Sequence, residues 1–79
     1  MALAFILIST VAGEEEKISK KLEDDSKKLG IVEMHELHGE YDFLLRIEQD
    51  DSKDIAKIGK KIEEFNGIAL VKVLDSMHF

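Results

Sequence analysis

The chain has 79 residues, enough for one small domain over 1–79, and contains no cysteine, which excludes disulfides, CxxC redox chemistry and thiolate metal sites. Its 17 acidic against 11 basic residues give a formal net charge of −6, the opposite of the basic face that direct nucleic-acid binding requires. The opening MALAFILIST lacks a basic leader, and no apolar run nears the ~20 residues of a membrane span, so a cytoplasmic protein with no membrane partner is expected.

In chain order, LAFILISTV is apolar at nearly every position and rich in β-branched and aromatic residues, which predicts a strand covered on both faces. Gly13 and then Glu14, Glu15 and Glu16 open a helix, because carboxylates in a first turn complement the helix dipole. Ile18, Leu22 and Leu29 recur at helical spacing, and Gly30 closes that segment. IVEMHELH reads as a second strand and Gly39 to Asp42 as a turn. FLLRIEQ alternates, with Phe43, Leu45 and Ile47 on one face and Leu44, Arg46 and Glu48 on the other.

Asp50, Asp51 and Ser52 are all capable N-caps for the next helix, whose apolar stripe is Ile55, Ile58, Ile62 and Phe65. Asn66-Gly67 ends it, IALVKVL forms the last strand, and DSMHF is a tail. The lysines of KISKK and KIGKK, closely followed by acidic residues, read as solvated helix surface.

A shift of 37 residues brings Ile18 onto Ile55, Gly30 onto Gly67 and Ile31 onto Ile68. Two βαβ halves of this size predict an α+β, ferredoxin-like βαββαβ fold. Its four-stranded antiparallel sheet carries two helices on one face, with the first and third strands central. The other face then lacks cover. Strands one and four are apolar in both registers: Phe5 and Leu7 against Ile6 and Ile8, Leu70 against Val71 and Val73. Four strands spaced about 4.8 Å apart and roughly 18 Å long present on the order of 350 Å². A patch of that size falls among the largest on monomers. A domain this small is marginal alone, and a second copy on the bare face is the simplest cover.

HELH offers His35 and His38, three residues apart. On a strand they point to opposite faces, so no metal site is expected. No nucleophile, phosphate-cradling loop or acid–base pair has a specific spacing, so no catalytic residue and no cofactor is assigned. Tyr41-Asp42 reads first as a turn held by local backbone bonds, and second as the edge of a ligand pocket where Gly39 permits close approach.

The stretch Leu37, His38, Gly39, Glu40, Tyr41, Asp42, Phe43, Leu44, Leu45 resembles the effector-binding C-terminal domain of the Lrp/AsnC transcription regulators, the RAM domain. FNGIALVKVL resembles that family's turn into the last strand. The resemblance implies a dimeric α/β-barrel-type association through the sheets, with dimers assembling further into a ring. It implies an amino-acid effector between dimers, contacted by Gly39, Tyr41, Asp42 and His38. His38, where the family often has threonine, and Val71 and Val73, where it often has hydroxyls, depart from the pattern and leave the ligand open.

The helix-turn-helix domain that precedes this module in the regulators has no counterpart in these residues. The expectation is therefore a stand-alone module that binds a small molecule or co-assembles with full-length Lrp/AsnC regulators. The alternative is a small dimeric α/β-barrel enzyme such as a cofactor-free monooxygenase, which needs a cavity between sheet and helices and a buried histidine. A third reading is an oligomerisation module without a ligand.

Overall fold

The structure is a computed structural model that describes residues 2–75, so the tail from Ser76 on, with Met77, lies outside the described residues. Strand β1 (Ala2–Thr10) leads to α1 (Glu15–Asp24), α2 (Ser26–Leu29), β2 (Ile31–Glu36) and β3 (Phe43–Gln49). Helix α3 (Ser52–Glu63) and β4 (Ile68–Asp75) complete the chain. The strands form one sheet in the order β2-β3-β1-β4, antiparallel throughout. The first and third strands are central, as the ferredoxin-like topology requires.

Alternation decides which side of each strand is buried. Ala4, Ile6 and Ile8 of β1 and Phe43, Leu45 and Ile47 of β3 are at most 3% exposed. Ile18 and Leu22 of α1, Leu29 of α2, and Ile55, Ile58 and Ile62 of α3 close over them. Each of the isoleucine, leucine and phenylalanine side chains among them contributes about 1.5–3 kcal/mol through burial. The two glycine-to-strand junctions of the 37-residue repeat correspond in conformation. Gly30 and Gly67 both have positive φ, and Ile31 and Ile68 after them both pack against the core.

Spacing alone predicts one helix from Glu14 to Gly30; the structure breaks it at Asp25 into α1 and α2. Asp24, Asp25 and Ser26 coincide with the break, and such side chains compete for the backbone in a helix interior. Asp25 stays tied to the preceding turn by a 3.2 Å pair with Lys21. Gly30 caps α2 in the left-handed region at φ 74°. A Cβ there would lie 2.6 Å from the Glu48 carbonyl oxygen, so both conformation and space require glycine. Of the three candidate caps for α3, Asp51 fills the role, its carboxylate accepting from the Lys53 amide at 3.1 Å. Phe65 lies just beyond α3, half-buried, with the Lys21 ammonium 5.4 Å from its ring centre.

Candidate functional site

The turn between β2 and β3 is fastened to the end of β1. The Leu37 amide donates to the Asp42 carbonyl at 2.9 Å, which closes the turn. The Asp42 amide donates to the Ile8 carbonyl at 2.7 Å. Its carboxylate oxygen Oδ2 accepts from the Thr10 amide at 2.7 Å and from the Thr10 hydroxyl at 3.0 Å. The Ser9 hydroxyl donates to the Glu40 carbonyl at 2.6 Å. These bonds hold the turn at a fixed height over the sheet edge. They also show that Asp42 has a structural task whatever else it does.

The turn opens onto a groove of about 760 Å³ between α1 and the β2–β3 end of the sheet. His38, Asp42 and Phe43 line it from the sheet side, and Glu15, Glu16, Ser19 and Lys20 from α1. Farther along, Glu23, Asp24 and Glu36 add carboxylates, so the groove is strongly acidic. A positively charged group is the chemistry such a lining favours. Of the four residues assigned from the sequence, His38 and Asp42 share this groove, while Gly39 and Tyr41 are not in its wall. Gly39 has φ 136°, and the space where its Cβ would stand is empty. Glycine is needed there for backbone conformation, not for crowding. Ser9, Thr10 and the α1 wall are partners that sequence reasoning missed.

Val71 and Val73 lie on the helix-facing side of β4, opposite Ile8 and Ile6, and pack against the core. They are therefore not beside His38 and Asp42 in the groove. His35 and His38 are separated, His35 on the uncovered face of β2 beside Leu44 and His38 in the turn. Both are exposed, so neither supplies the buried histidine of the monooxygenase alternative. Among the described residues no three His, Cys, Asp or Glu side chains converge as metal ligands.

The second feature is the uncovered sheet face. Phe5, Leu70 and Leu74 are 37%, 52% and 41% exposed there, with Leu3, Leu7 and Leu44 half-buried between them. On the β2–β3 side the face turns polar. The Arg46 guanidinium donates to Glu33 at 2.5 Å and to Glu48 at 2.9 Å, and His35 Nε2 lies 3.1 Å from Glu33. His35 first, and then Arg46, hold the Glu33 carboxyl below its ordinary range by hydrogen bonding. The same bond to Glu33 holds the Arg46 guanidinium above its ordinary value.

A scan against protein-family models finds no match, and neither does a search of curated proteins. Solved structures do match. The crystal structure of FFRP-DM1 is 31% identical, covers 98% of this chain and 100% of its own, and superposes with a TM-score of 0.84. FFRP denotes proteins of the Lrp/AsnC type. The chain belongs to the Lrp/AsnC family. A hypothetical protein from Pyrococcus horikoshii, PHS023, is 30% identical over 100% of this chain and 93% of its own, with a TM-score of 0.80. An AsnC family transcriptional regulator from Agrobacterium tumefaciens shares the fold at 23% identity, covering 99% of this chain but 51% of its own, with a TM-score of 0.77. The Lrp/AsnC chain described here thus has the fold of about half of that regulator. None of its described helices is long and apolar enough to cross a membrane.

Proposed function

We propose that this Lrp/AsnC chain works as a small-molecule-binding and oligomerisation module, a single RAM-type domain. It has no catalytic role, no cofactor and no DNA-reading element within these residues. Two copies join through the uncovered sheet faces in a dimeric α/β-barrel-type association, and dimers assemble further into a ring. An amino-acid effector occupies the groove beside the β2–β3 turn, where a neighbouring dimer closes it. The same surfaces would let the chain co-assemble with full-length Lrp/AsnC regulators. The cytoplasm is the compartment where such a module would act.

The observation that carries this reading is the pairing of an apolar, uncovered sheet face with a separate acidic groove at the turn. The groove suits an α-ammonium group, which would meet carboxylates at Asp42 or on α1 in charge-assisted contacts. His38, on the sheet side of the same groove, would meet the other end of a zwitterion, and Gly39 and Tyr41 would contact the effector only once a neighbour brings its own turn close. The neighbours described by function are regulators, which favours binding over catalysis.

Native mass spectrometry with and without a panel of amino acids tests stoichiometry and ligand together. Dimers or multiples of dimers that retain one class of amino acid support the reading. Oligomers that retain none favour a second reading, a pure oligomerisation module. The two bonds from Thr10 to Asp42 Oδ2 support that second reading, because they give this carboxylate a structural role that needs no ligand.

A further inference from the structure

The turn and the start of α1 are the two walls of the acidic groove, and Thr10 lies where the chain passes from one to the other. The backbone ladder between β1 and β3 runs to Ile8 opposite Phe43, and one further bond joins the Asp42 amide to the Ile8 carbonyl. Beyond it the attachment passes to side chains. Thr10 reaches Asp42 twice, through its amide at 2.7 Å and its hydroxyl at 3.0 Å, and both bonds end on Oδ2. A few residues on, the chain enters α1, whose Glu15 and Glu16 line the groove together with His38 and Asp42. The link between is itself held: the Val11 amide donates to the Gly67 carbonyl at 2.7 Å and the Glu14 amide to the Val11 carbonyl at 3.0 Å.

The two oxygens of Asp42 are therefore not equivalent. Oδ2 accepts both Thr10 bonds. Among the described residues no hydrogen bond or ion pair includes Oδ1. Nor is Oδ1 sealed away. Asp42 is half-buried, and no side-chain nitrogen or oxygen of the described half-buried or buried residues is both enclosed and without a partner. Oδ1 thus meets water on a residue of the groove wall. A carboxylate free at both oxygens would turn about its side-chain bonds, and ordering it would oppose binding. Fixing one oxygen removes that freedom before a ligand arrives.

Resting on the amino-acid site proposed above, we infer that Thr10 is the positioning residue of that site. Its amide and hydroxyl hold Oδ2, which leaves Oδ1 to accept the α-ammonium of the ligand in a charge-assisted bond. The same two bonds tie the turn to the stretch that leads into α1, and so set the width of the groove. The structural and the ligand-binding roles of Asp42 then fall on different atoms and do not compete. A turn clamp alone needs only Oδ2, and an asparagine side chain would supply that.

Asp42→Asn separates the two atoms. Its carbonyl oxygen can accept both Thr10 bonds, and its amide NH2 then stands in place of Oδ1, so that donor meets donor. The probe is whichever of the common amino acids the wild type retains best from an equimolar mixture in native mass spectrometry. In calorimetric titration Asp42→Asn should bind it about tenfold more weakly or worse, down towards the affinity of its α-deamino analogue, which lacks the ammonium. Thermal unfolding should stay close to that of the wild type. Thr10→Val keeps the amide and the branched shape but drops the hydroxyl, and should narrow the preference for the amino acid over the analogue. Thr10→Ser, which keeps the hydroxyl, should preserve that preference.

Amide hydrogen exchange of the wild type covers the case in which a variant fails to fold. The Thr10 amide should be protected in the free protein and stay protected when the amino acid saturates it, because the ligand uses the other oxygen. Equal binding by wild type and Asp42→Asn overturns this division of the carboxylate and leaves the amino-acid site standing. So does a preference that Thr10→Val keeps or Thr10→Ser loses, or a Thr10 amide that ligand deprotects. A wild type that retains no amino acid overturns both.

Discussion

The two faces of the sheet are built from alternate residues of the same strands, and they differ in fate more than in chemistry. On one face Ala4, Ile6, Ile8, Phe43, Leu45 and Ile47 are sealed under three helices. On the other, Leu3, Phe5, Leu7 and Leu44 continue the apolar character into water, joined by Leu70 and Leu74. A strand needs only one apolar face to hold a monomeric core. The second therefore points outside the monomer, and the ion-paired group at Glu33, Arg46 and Glu48 makes its β2–β3 side polar.

Substitutions on the two faces should separate along this line. Leu45→Ala, on the sealed face, should cost about 2–5 kcal/mol in urea denaturation through lost burial and the cavity left behind. A cost below about 1 kcal/mol would mean the helix side is not the rigid core. Leu7→Lys, on the uncovered face, should leave the far-UV circular dichroism of the subunit intact and abolish the dimer, since the added charge would be buried without a partner. Unfolding of the Leu7→Lys subunit, at the level seen for Leu45→Ala, would erase the distinction between the faces.

How much of this was legible beforehand depends on the residue. The α3 stripe of Ile55, Ile58 and Ile62 was readable because one face of that helix is charged and the other is not. The orientation of β1 was not readable from β1, where both registers are apolar. It becomes clear only through pairing with β3, whose Arg46 and Glu48 stand opposite Phe5 and Leu3 and so mark the side without helices. The turn was legible as a turn from Gly39 and Asp42. Its fastening to Thr10 was not, because that contact spans 32 residues and no local spacing encodes it. The acidic groove was hidden for the same reason. Its carboxylates on α1 look like an ordinary helix start until the fold sets them opposite His38.

Smaller effects sharpen the comparison. Asp42→Ala removes both Thr10 bonds and leaves the Thr10 amide without its acceptor, which should cost about 1–3 kcal/mol in thermal or urea unfolding. Calorimetric titration of the same variant separates its two roles. Loss of amino-acid binding with the oligomer intact supports a ligand contact, and equal binding by both proteins leaves only the structural one.

The least effect is expected from pH on the polar edge. Glu33 is held below its ordinary value of 4.5, so its contribution is present above that value and is lost as the pH falls through the lower folded one. Glu33→Gln should therefore lower stability slightly above about pH 4.5, by little because the pair is exposed, and converge with the wild type in acid, which flattens the acid limb. Parallel profiles for the two proteins would show that the pair contributes nothing in solution.

The central claim is that the bare sheet face belongs to a second copy of the chain. Sedimentation equilibrium of the wild-type protein over the micromolar range tests it most directly. The account predicts a dimer or a multiple of dimers, with little monomer at the upper concentrations. A single species at the monomer mass of 9.0 kDa across the whole range would contradict it.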